Sequence, residues 1–293
     1  MNRFSASVFR SGLFRDKVAV VTGGATGIGK AITRELLYLG CKVVIASRNE
    51  QNLATATKEF QSIIPKDQEP SCISYTACNI RNEENVKSLL SEVLRKHKKL
   101  DFLVNNGGGQ FFCPAGDTTL KGWNAIVETN LTGTFLMCKE AYNQWMKEHG
   151  GTIVNIVMEN SRGYPLAAHS GAARAGVDNF VKTLAVEWAS SGIRINSVAP
   201  GCIYSETAAD NYRGDVFSQV RARLPCKRTG TPEEVSSVVC FLLSSAASYI
   251  SGTTVVVDGG SGLYPALTFE VPDHERWPKH DSQEQAQDGT DRT

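Results

Sequence analysis

Seven short apolar runs recur along the chain between residues 18 and 257, each with turn-forming residues nearby. Val18 to Val21, Val43 to Ile45, Ile73 to Ala77, Phe102 to Val104, Ile153 to Val157, Ile193 to Val198 and Thr253 to Val257 are β-branched or apolar, which is the mark of buried strands. Between them the period lengthens toward 3.6. Gly27 to Leu39 opens behind a glycine turn, Asn82 to Lys96 sets Val86, Leu89, Leu90 and Val93 on one face, and Gly171 to Ser190 does the same with Ala173, Val177, Phe180, Val181, Leu184 and Val186. Thr231-Pro232-Glu233-Glu234 supplies a hydroxyl cap, a proline at the first helical position and two acids in the first turn, and so starts a further helix. Alternating strands and helices predict an α/β fold, one doubly wound seven-stranded parallel sheet of the Rossmann type, with its ligand site beyond the carboxyl ends of the strands.

Residues 16 to 265 contain no repeat and no linker-like gap, so they are read as one domain although a 293-residue chain could hold two. Residues 1–15 carry Arg3, Arg10, Arg15 and three serines with no acid before Asp16, a composition that suits either a mitochondrial presequence or a short frayed leader. Residues 266–293 form a C-terminal tail. From Val271 onward it is dense in charged and polar groups with Trp277 as its only aromatic residue, so it cannot order itself, and any docking would run through Trp277.

Composition narrows the partners. Hydrophobic residues make up 41% of the chain, enough for a core without disulfides or a structural metal. The 31 Lys plus Arg against 30 Asp plus Glu leave a net charge of +1, which provides no global field toward nucleic acid or an anionic membrane. The longest apolar run, Val238 to Leu243, falls far short of the roughly 20 residues of a transmembrane helix. Eight cysteines are scattered without a C-x-x-C pair or a histidine at ligand spacing, so they read as reduced core thiols with no metal site.

Candidate chemistry begins after the first strand, at Thr22-Gly23-Gly24-Ala25-Thr26-Gly27-Ile28-Gly29. Glycines here let the backbone approach a pyrophosphate, whose charge is held by the unpaired N–H groups and dipole of the following helix. The second strand ends in Ile45-Ala46-Ser47-Arg48, where an NAD site would carry an acid for the ribose 2′-hydroxyl. Ser47 and Arg48 instead suit a 2′-phosphate, and NADPH is the expected cofactor. Arg48 taken alone could also be a solvated loop residue.

The glycine turn, Asn105-Asn106-Gly107-Gly108, Asn130-Leu131-Thr132-Gly133, Pro200-Gly201 and Val257-Asp258-Gly259-Gly260 occur in order over some 240 residues, and together they resemble the short-chain dehydrogenase/reductase family. The resemblance implies that Asn79 and Ile80 lie beside adenine, with Asn79 in place of the usual aspartate. It also implies that Asn105 to Gly107 support the adenosine side and that Pro200, Gly201 and Ile203 line the nicotinamide amide.

At the reacting end the family pattern breaks. Most members use a Ser, a Tyr and, four residues later, a Lys, whereas this chain reads His169-Ser170-Gly171-Ala172-Ala173-Arg174. Arg174 stands at the lysine position, Ser170 at the tyrosine position, and Val157-Met158 where the serine is usual. Arginine stays protonated at neutral pH and cannot shuttle a proton, so the expected reaction is one that stabilises charge: hydride addition to an α,β-unsaturated thioester, with donors around the enolate oxygen. Runs outside the generic motifs agree with this. Asn105 to Phe111, Trp145 to Gly151, His169 to Val177 and Glu270 to His274 closely resemble the peroxisomal trans-2-enoyl-CoA reductase branch, which implies NADPH-dependent reduction of trans-2-enoyl-CoA in fatty-acid metabolism and a homotetramer. Reduction of another substrate such as 2,4-dienoyl-CoA, or loss of catalysis with retained nucleotide binding, are the alternatives.

The branch resemblance brings a peroxisomal address of the Ser-Lys-Leu type, but this chain closes Asp291-Arg292-Thr293, which leaves mitochondrial and cytoplasmic locations open. Some relatives carry a tyrosine where Asp178 stands, and Asp178 is expected to point away from nicotinamide. Asn130 is expected in a helix beneath the site, either organising a water or only kinking the helix. Tyr164 is either a proton donor or a lining residue. His169 and Ser170 are expected just before the helix, as donors to the thioester oxygen or, for Ser170, as a cap. Gln110, Arg213, Arg221 and Arg223 are the substrate candidates, the arginines forming with Lys227 and Arg228 either a basic rim for CoA phosphates on a small helical lobe or an ordinary solvated face.

Overall fold

A computed structural model describes residues 7–64, 69–211, 216–264 and 270–281. The strands are β1 (Val18–Thr22), β2 (Lys42–Ser47), β3 (Ile73–Ala77), β4 (Phe102–Asn105), β5 (Gly151–Ile156), β6 (Ile193–Pro200) and β7 (Thr254–Val257). All pair in parallel in the order β3-β2-β1-β4-β5-β6-β7. β1 is buried at every position and β6 at all but one, the burial that parallel sheets covered on both faces require. The chain order reverses on either side of β1, so a crevice opens above the carboxyl ends of β1 and β4.

The helices are α1 (Gly27–Tyr38), α2 (Glu50–Ile63), α3 (Glu83–His97), α4 (Leu120–Val127), α5 (Gly133–Ala141), α6 (Lys147–His149), α7 (Ala168–Glu187), α8 (Glu206–Asn211), α9 (Val216–Arg221) and α10 (Pro232–Leu243). On one face of the sheet Ile32, Leu36, Val235 and Val239 join α1 and α10 in a common core. On the other, Val86, Leu90, Met137, Val177 and Val181 bring together α3, α5 and α7. α10 starts with a reciprocal cap: Glu234 N–H donates to Thr231 Oγ1 (3.4 Å) and Thr231 N–H to Glu234 Oε2 (2.9 Å).

Three expectations shift. The proposed boundary after residue 15 does not follow the packing, because Phe14 is buried in the core at 3% exposure with its ring edge-on to Phe102, centroids 5.0 Å apart. The helix expected from Gly171 begins at Ala168 with Ala167 as its cap residue, so His169 and Ser170 lie inside its first turn, and Ser170 is not a cap. Tail residues 270–281 pack on the lobe: His274 Nε2 bonds Pro225 O (2.9 Å), Arg228 donates to Pro278 O (2.7 Å), and Trp277 lines a cavity of about 80 Å³ with Cys202 and Cys226. All eight cysteines are free thiols, six of them buried. No described helix is long and apolar enough to cross a membrane, and the described residues hold no cluster that could bind a metal.

Candidate active site

The glycine turn is bolted to the loop after β4. Asn106 Nδ2 donates to Thr22 O (3.1 Å) and Gly23 O (3.3 Å), while Thr22 Oγ1 accepts from the N–H groups of Asn106 (3.0 Å) and Gly107 (2.8 Å). Gly29 has no alternative at this junction, since a Cβ there would sit 2.2 Å from Gly23 O and 2.4 Å from Asn106 Nδ2. Thr26 makes no side-chain cap to α1, which leaves the helix's first N–H groups for a ligand.

Above this turn lies a cavity of about 770 Å³. Of the cofactor candidates, Gly23, Thr26, Ser47, Arg48, Asn79, Ile80, Asn106 and Gly107 line it. Gly24, Ala25, Gly27, Ile28 and Gly29 shape the turn and the helix start but are not in the lining. Asn105 is not in the lining. Its amide is buried and donates to Asn155 Oδ1 (2.9 Å), tying β4 to β5. Glu50, which sequence reasoning passed over, also lines the cavity, in the first turn of α2 where an acid suits the helix dipole. The glycine cradle and the Ser47–Arg48 corner fit a dinucleotide with a 2′-phosphate, while Glu50 is the acid that a free 2′-hydroxyl would use.

At the reacting end Ser170 Oγ is a hub. It accepts from Arg174 Nε (3.3 Å) and Asn130 Nδ2 (3.4 Å) and donates to Gln110 Oε1 (3.2 Å), with Met158 Sδ at 3.6 Å. Arg174 Nη1 donates to Ile156 O (2.9 Å) and Val157 O (3.1 Å) at the end of β5. Asn130 lies in a π-helical turn, Glu128–Thr132, between α4 and α5. Its amide clasps Gly109, accepting from the N–H and donating to the carbonyl, both at 2.9 Å. A side chain added at Gly108 would meet Arg174 Nη2 and Asn130 Oδ1, each at 3.0 Å, so this glycine lets the nucleotide loop lie flat on both residues.

His169 is buried, accepts from Ser170 N–H through Nδ1 (2.7 Å), and packs edge-to-face with Phe111, ring centroids 4.2 Å apart. Its Nε2 has no hydrogen-bond partner among the described residues. The half-exposed Tyr164 ring runs parallel to that of Phe112. Asp178 points to Thr254 and Lys182, away from the cluster. Burial works to raise its carboxyl, and those two partners outweigh it, so it lies below the usual range. Pro200 ends β6, Gly201 N–H donates to Val257 O (2.9 Å), and Ile203 bridges to Gly230, which places all three beside the β7 turn.

The basic rim is only partly assembled. Arg213 lies outside the described residues, while Arg221 and Arg223 are exposed. Lys227 instead pairs with Asp273 (3.6 Å) and Arg228 with Glu234 (2.6 Å), so both serve the fold. Phe111, Phe112, Tyr164 and Leu166 form an exposed apolar margin that sequence reasoning did not single out as a group.

Comparison with known proteins agrees with this architecture. The family model described as Enoyl-(Acyl carrier protein) reductase matches residues 23–262. Proteins named peroxisomal 2,4-dienoyl-CoA reductase [(3E)-enoyl-CoA-producing] are 36% identical to the chain in both Danio rerio and Mus musculus. The match spans 92% of the chain and 89% of the Danio rerio protein, and 90% and 91% for that of Mus musculus. Among solved structures, the citronellol catabolism dehydrogenase of Pseudomonas aeruginosa PAO1 superposes with a TM-score of 0.78 at 39% identity, over 88% of this chain and 99% of that one. The chain therefore belongs to the short-chain dehydrogenase/reductase family of oxidoreductases.

Proposed function

We propose that the chain reduces the α,β double bond of trans-2-enoyl-CoA thioesters with NADPH. The observation that carries this reading is the Ser170 hydroxyl. Two donors, from Arg174 and Asn130, stand behind its oxygen, and its proton is directed at Gln110 Oε1. A thioester oxygen seated where that amide oxygen lies would receive a hydrogen bond polarised by both donors.

When bound, NADPH would supply the hydride; Gly23, Thr26, Ser47, Arg48, Asn79, Ile80, Asn106 and Gly107, which line the cavity, would hold the nucleotide, and the family resemblance assigns Pro200, Gly201 and Ile203 to the amide end. The β-carbon gains that hydride, and the electron pair of the double bond moves onto the thioester as an enolate. Ser170, with Arg174 and Asn130 behind it, holds the enolate oxygen, and a proton from water completes the α-carbon. The balance is one hydride and one proton consumed per double bond, leaving NADP⁺ and saturated acyl-CoA. The Arg174 guanidinium does not release a proton at neutral pH, which suits an enolate that must be stabilised rather than trapped as an alcohol.

A second reading, 2,4-dienoyl-CoA reduction, is favoured by the names of the two vertebrate relatives. The same donors serve either enolate. We assign the chain to fatty-acid metabolism, and the relatives' names favour a peroxisomal setting; family resemblance favours a homotetramer. The test mixes purified protein with NADPH and, separately, trans-2-enoyl- and 2,4-dienoyl-CoAs, and identifies the products by mass. Saturated acyl-CoA from the enoyl thioester supports the first reading. Turnover of the dienoyl thioester alone, with a mono-unsaturated product, would replace it with the second, and NADPH binding without turnover of either would refute both.

A further inference from the structure

The end of β3 closes the nucleotide cavity beside the ribose corner. Cys78 N–H donates to Ser47 O (2.8 Å), which sets Asn79 next to Arg48, and both of those side chains line the cavity. A dinucleotide with its pyrophosphate on the glycine turn and its adenosine ribose at Ser47 and Arg48 carries its base beyond that ribose, toward the β3 end. The wall there is largely apolar. Ile80 Cδ1 stands 3.4 Å from where a Cβ on Gly107 would be, so a branched side chain and bare backbone together offer a surface to the face of a purine.

Most polar side chains along this wall are already committed. Asn106 Nδ2 donates to Thr22 O and Gly23 O, and Thr129 Oγ1 donates to Ala125 O (2.7 Å). Asn79 differs. Its Oδ1 accepts from Arg81 N–H (3.3 Å), a bond that only the oxygen of the amide can make, and this fixes which way the amide is turned. Its Nδ2 makes no hydrogen bond among the described residues, and neither does the N–H of Ile80. Two successive residues therefore offer donors where the base belongs.

A purine edge is sensitive to that pairing. Adenine presents a ring nitrogen that accepts beside an exocyclic amine that donates, whereas hypoxanthine presents a ring N–H beside a carbonyl that accepts. Each base satisfies one of two donors and sets a donor against the other. Asn79→Asp would remove this balance. One carboxylate oxygen would keep the Arg81 N–H, and the other would accept from the adenine amine while repelling the hypoxanthine carbonyl.

We propose that Asn79 is a specificity-determining residue of the nucleotide site: its amide gives up selection for adenine, so the chain binds dinucleotides with an amino-purine or an oxo-purine about equally. The inference rests on the dinucleotide-dependent reductase reading and names the base selectivity within it.

The test measures dissociation constants by calorimetry for NADP⁺ and for nicotinamide hypoxanthine dinucleotide phosphate, with no acyl-CoA present. The two ligands differ only at that purine edge, so the contributions of the glycine turn, Ser47 and Arg48 cancel in the ratio. The wild type is expected to bind them within about threefold of each other, and Asn79→Asp to move the ratio toward NADP⁺ by about tenfold, the lower end for a hydrogen bond to a charged group. Thermal unfolding checks that the variant is folded, and the wild-type ratio stands without it. A wild-type preference for either base beyond about threefold overturns the proposal, as does a shift below about threefold in Asn79→Asp. No binding of either dinucleotide refutes the nucleotide site and the proposal with it. Failure of the reductase reading alone looks different: both dinucleotides bind in the expected ratios, yet neither enoyl- nor dienoyl-CoA is reduced.

Discussion

Arg174 offers the sharpest perturbation, because lysine at the same position restores the residue most family members use while keeping the positive charge. The guanidinium reaches three acceptors at once: Ile156 O at 2.9 Å, Val157 O at 3.1 Å and Ser170 Oγ at 3.3 Å. A lysine ammonium is a point donor on a single stem and cannot hold the β5 carbonyls and the Ser170 hydroxyl together. Each hydrogen bond to a charged group contributes about 1.5–3 kcal/mol, and partial solvent access at this half-buried residue lowers that, so Arg174→Lys should cost about 1–3 kcal/mol. For a chain of this size that is a fall in Tm of roughly 3–10 °C. The loss to catalysis should be larger than charge alone implies, about 10- to 100-fold in kcat/KM, because Ser170 loses one of the two donors that orient it. The assays are thermal unfolding and steady-state reduction of enoyl-CoA across pH 6–9. The wild-type profile should be flat with respect to residue 174, arginine remaining charged throughout. Arg174→Lys matching the wild type in both Tm and kcat/KM would refute the claim that the fork, and not merely the charge, organises the site.

Three further perturbations address separate parts of the molecule. Arg48→Asp should shift the ratio of kcat/KM values from NADPH toward NADH by at least about tenfold, the loss of a charge-assisted bidentate contact; an unchanged ratio would transfer the 2′ position to another residue lining the cavity. Phe14→Ala removes a core ring and should cost about 3–5 kcal/mol in urea unfolding, whereas a cost under about 1 kcal/mol would return residues 7–15 to the status of a dispensable leader. Glu35→Gln tests a buried carboxyl whose pKa is raised by burial against the opposing hydroxyls of Ser236 and Ser7. Below the ordinary glutamate value of 4.5 the group is protonated whether the chain is folded or not; above it the unfolded chain loses the proton first, so the folded state binds more protons and stability falls with rising pH until the raised pKa is passed. Glu35→Gln should flatten that decline, and an identical slope in wild type and variant would show that Glu35 is not its source.

Hydrophobic runs marked every strand to within two residues of its ends: the central strands are buried on both faces, and the less buried edge strands β3 and β7 are still written in β-branched residues. Helix starts were legible where a side chain does the capping, as at Asn82 and Thr231, or where a glycine turn announces them, as at Gly27, and not where packing alone fixes them. α7 begins at Ala168 without any side-chain cap, and the interior demand for His169 and Ser170 fixes its first turn. The basic residues of the lobe misled for a related reason. Lys227 and Arg228 look like a phosphate rim until Asp273 and Pro278, some fifty residues later, fold back on them, and no local pattern announces such a return. Glu50 is not legible from the end of β2, because it reaches the ribose corner from the start of the next helix, which faces the same cavity.

The π-helical turn at Asn130 shows how those long-range constraints build the site. Inserting one residue's worth of slack into a helix has a local cost, and such turns persist where function or packing uses them. Here the Asn130 side chain closes on both backbone groups of Gly109 while still reaching Ser170, and the neighbouring Gly108 must stay bare for Arg174 and Asn130 to lie against the loop. The loop that walls the nucleotide cavity and the hub at the reacting end are therefore positioned by the same two side chains. Replacing the tyrosine and lysine of the family with Ser170 and Arg174 does not leave that hub unsupported. It exchanges a group that passes a proton for a hydroxyl held by two donors, and in the proposed reaction that hydroxyl would meet an oxygen that gains charge without gaining a proton.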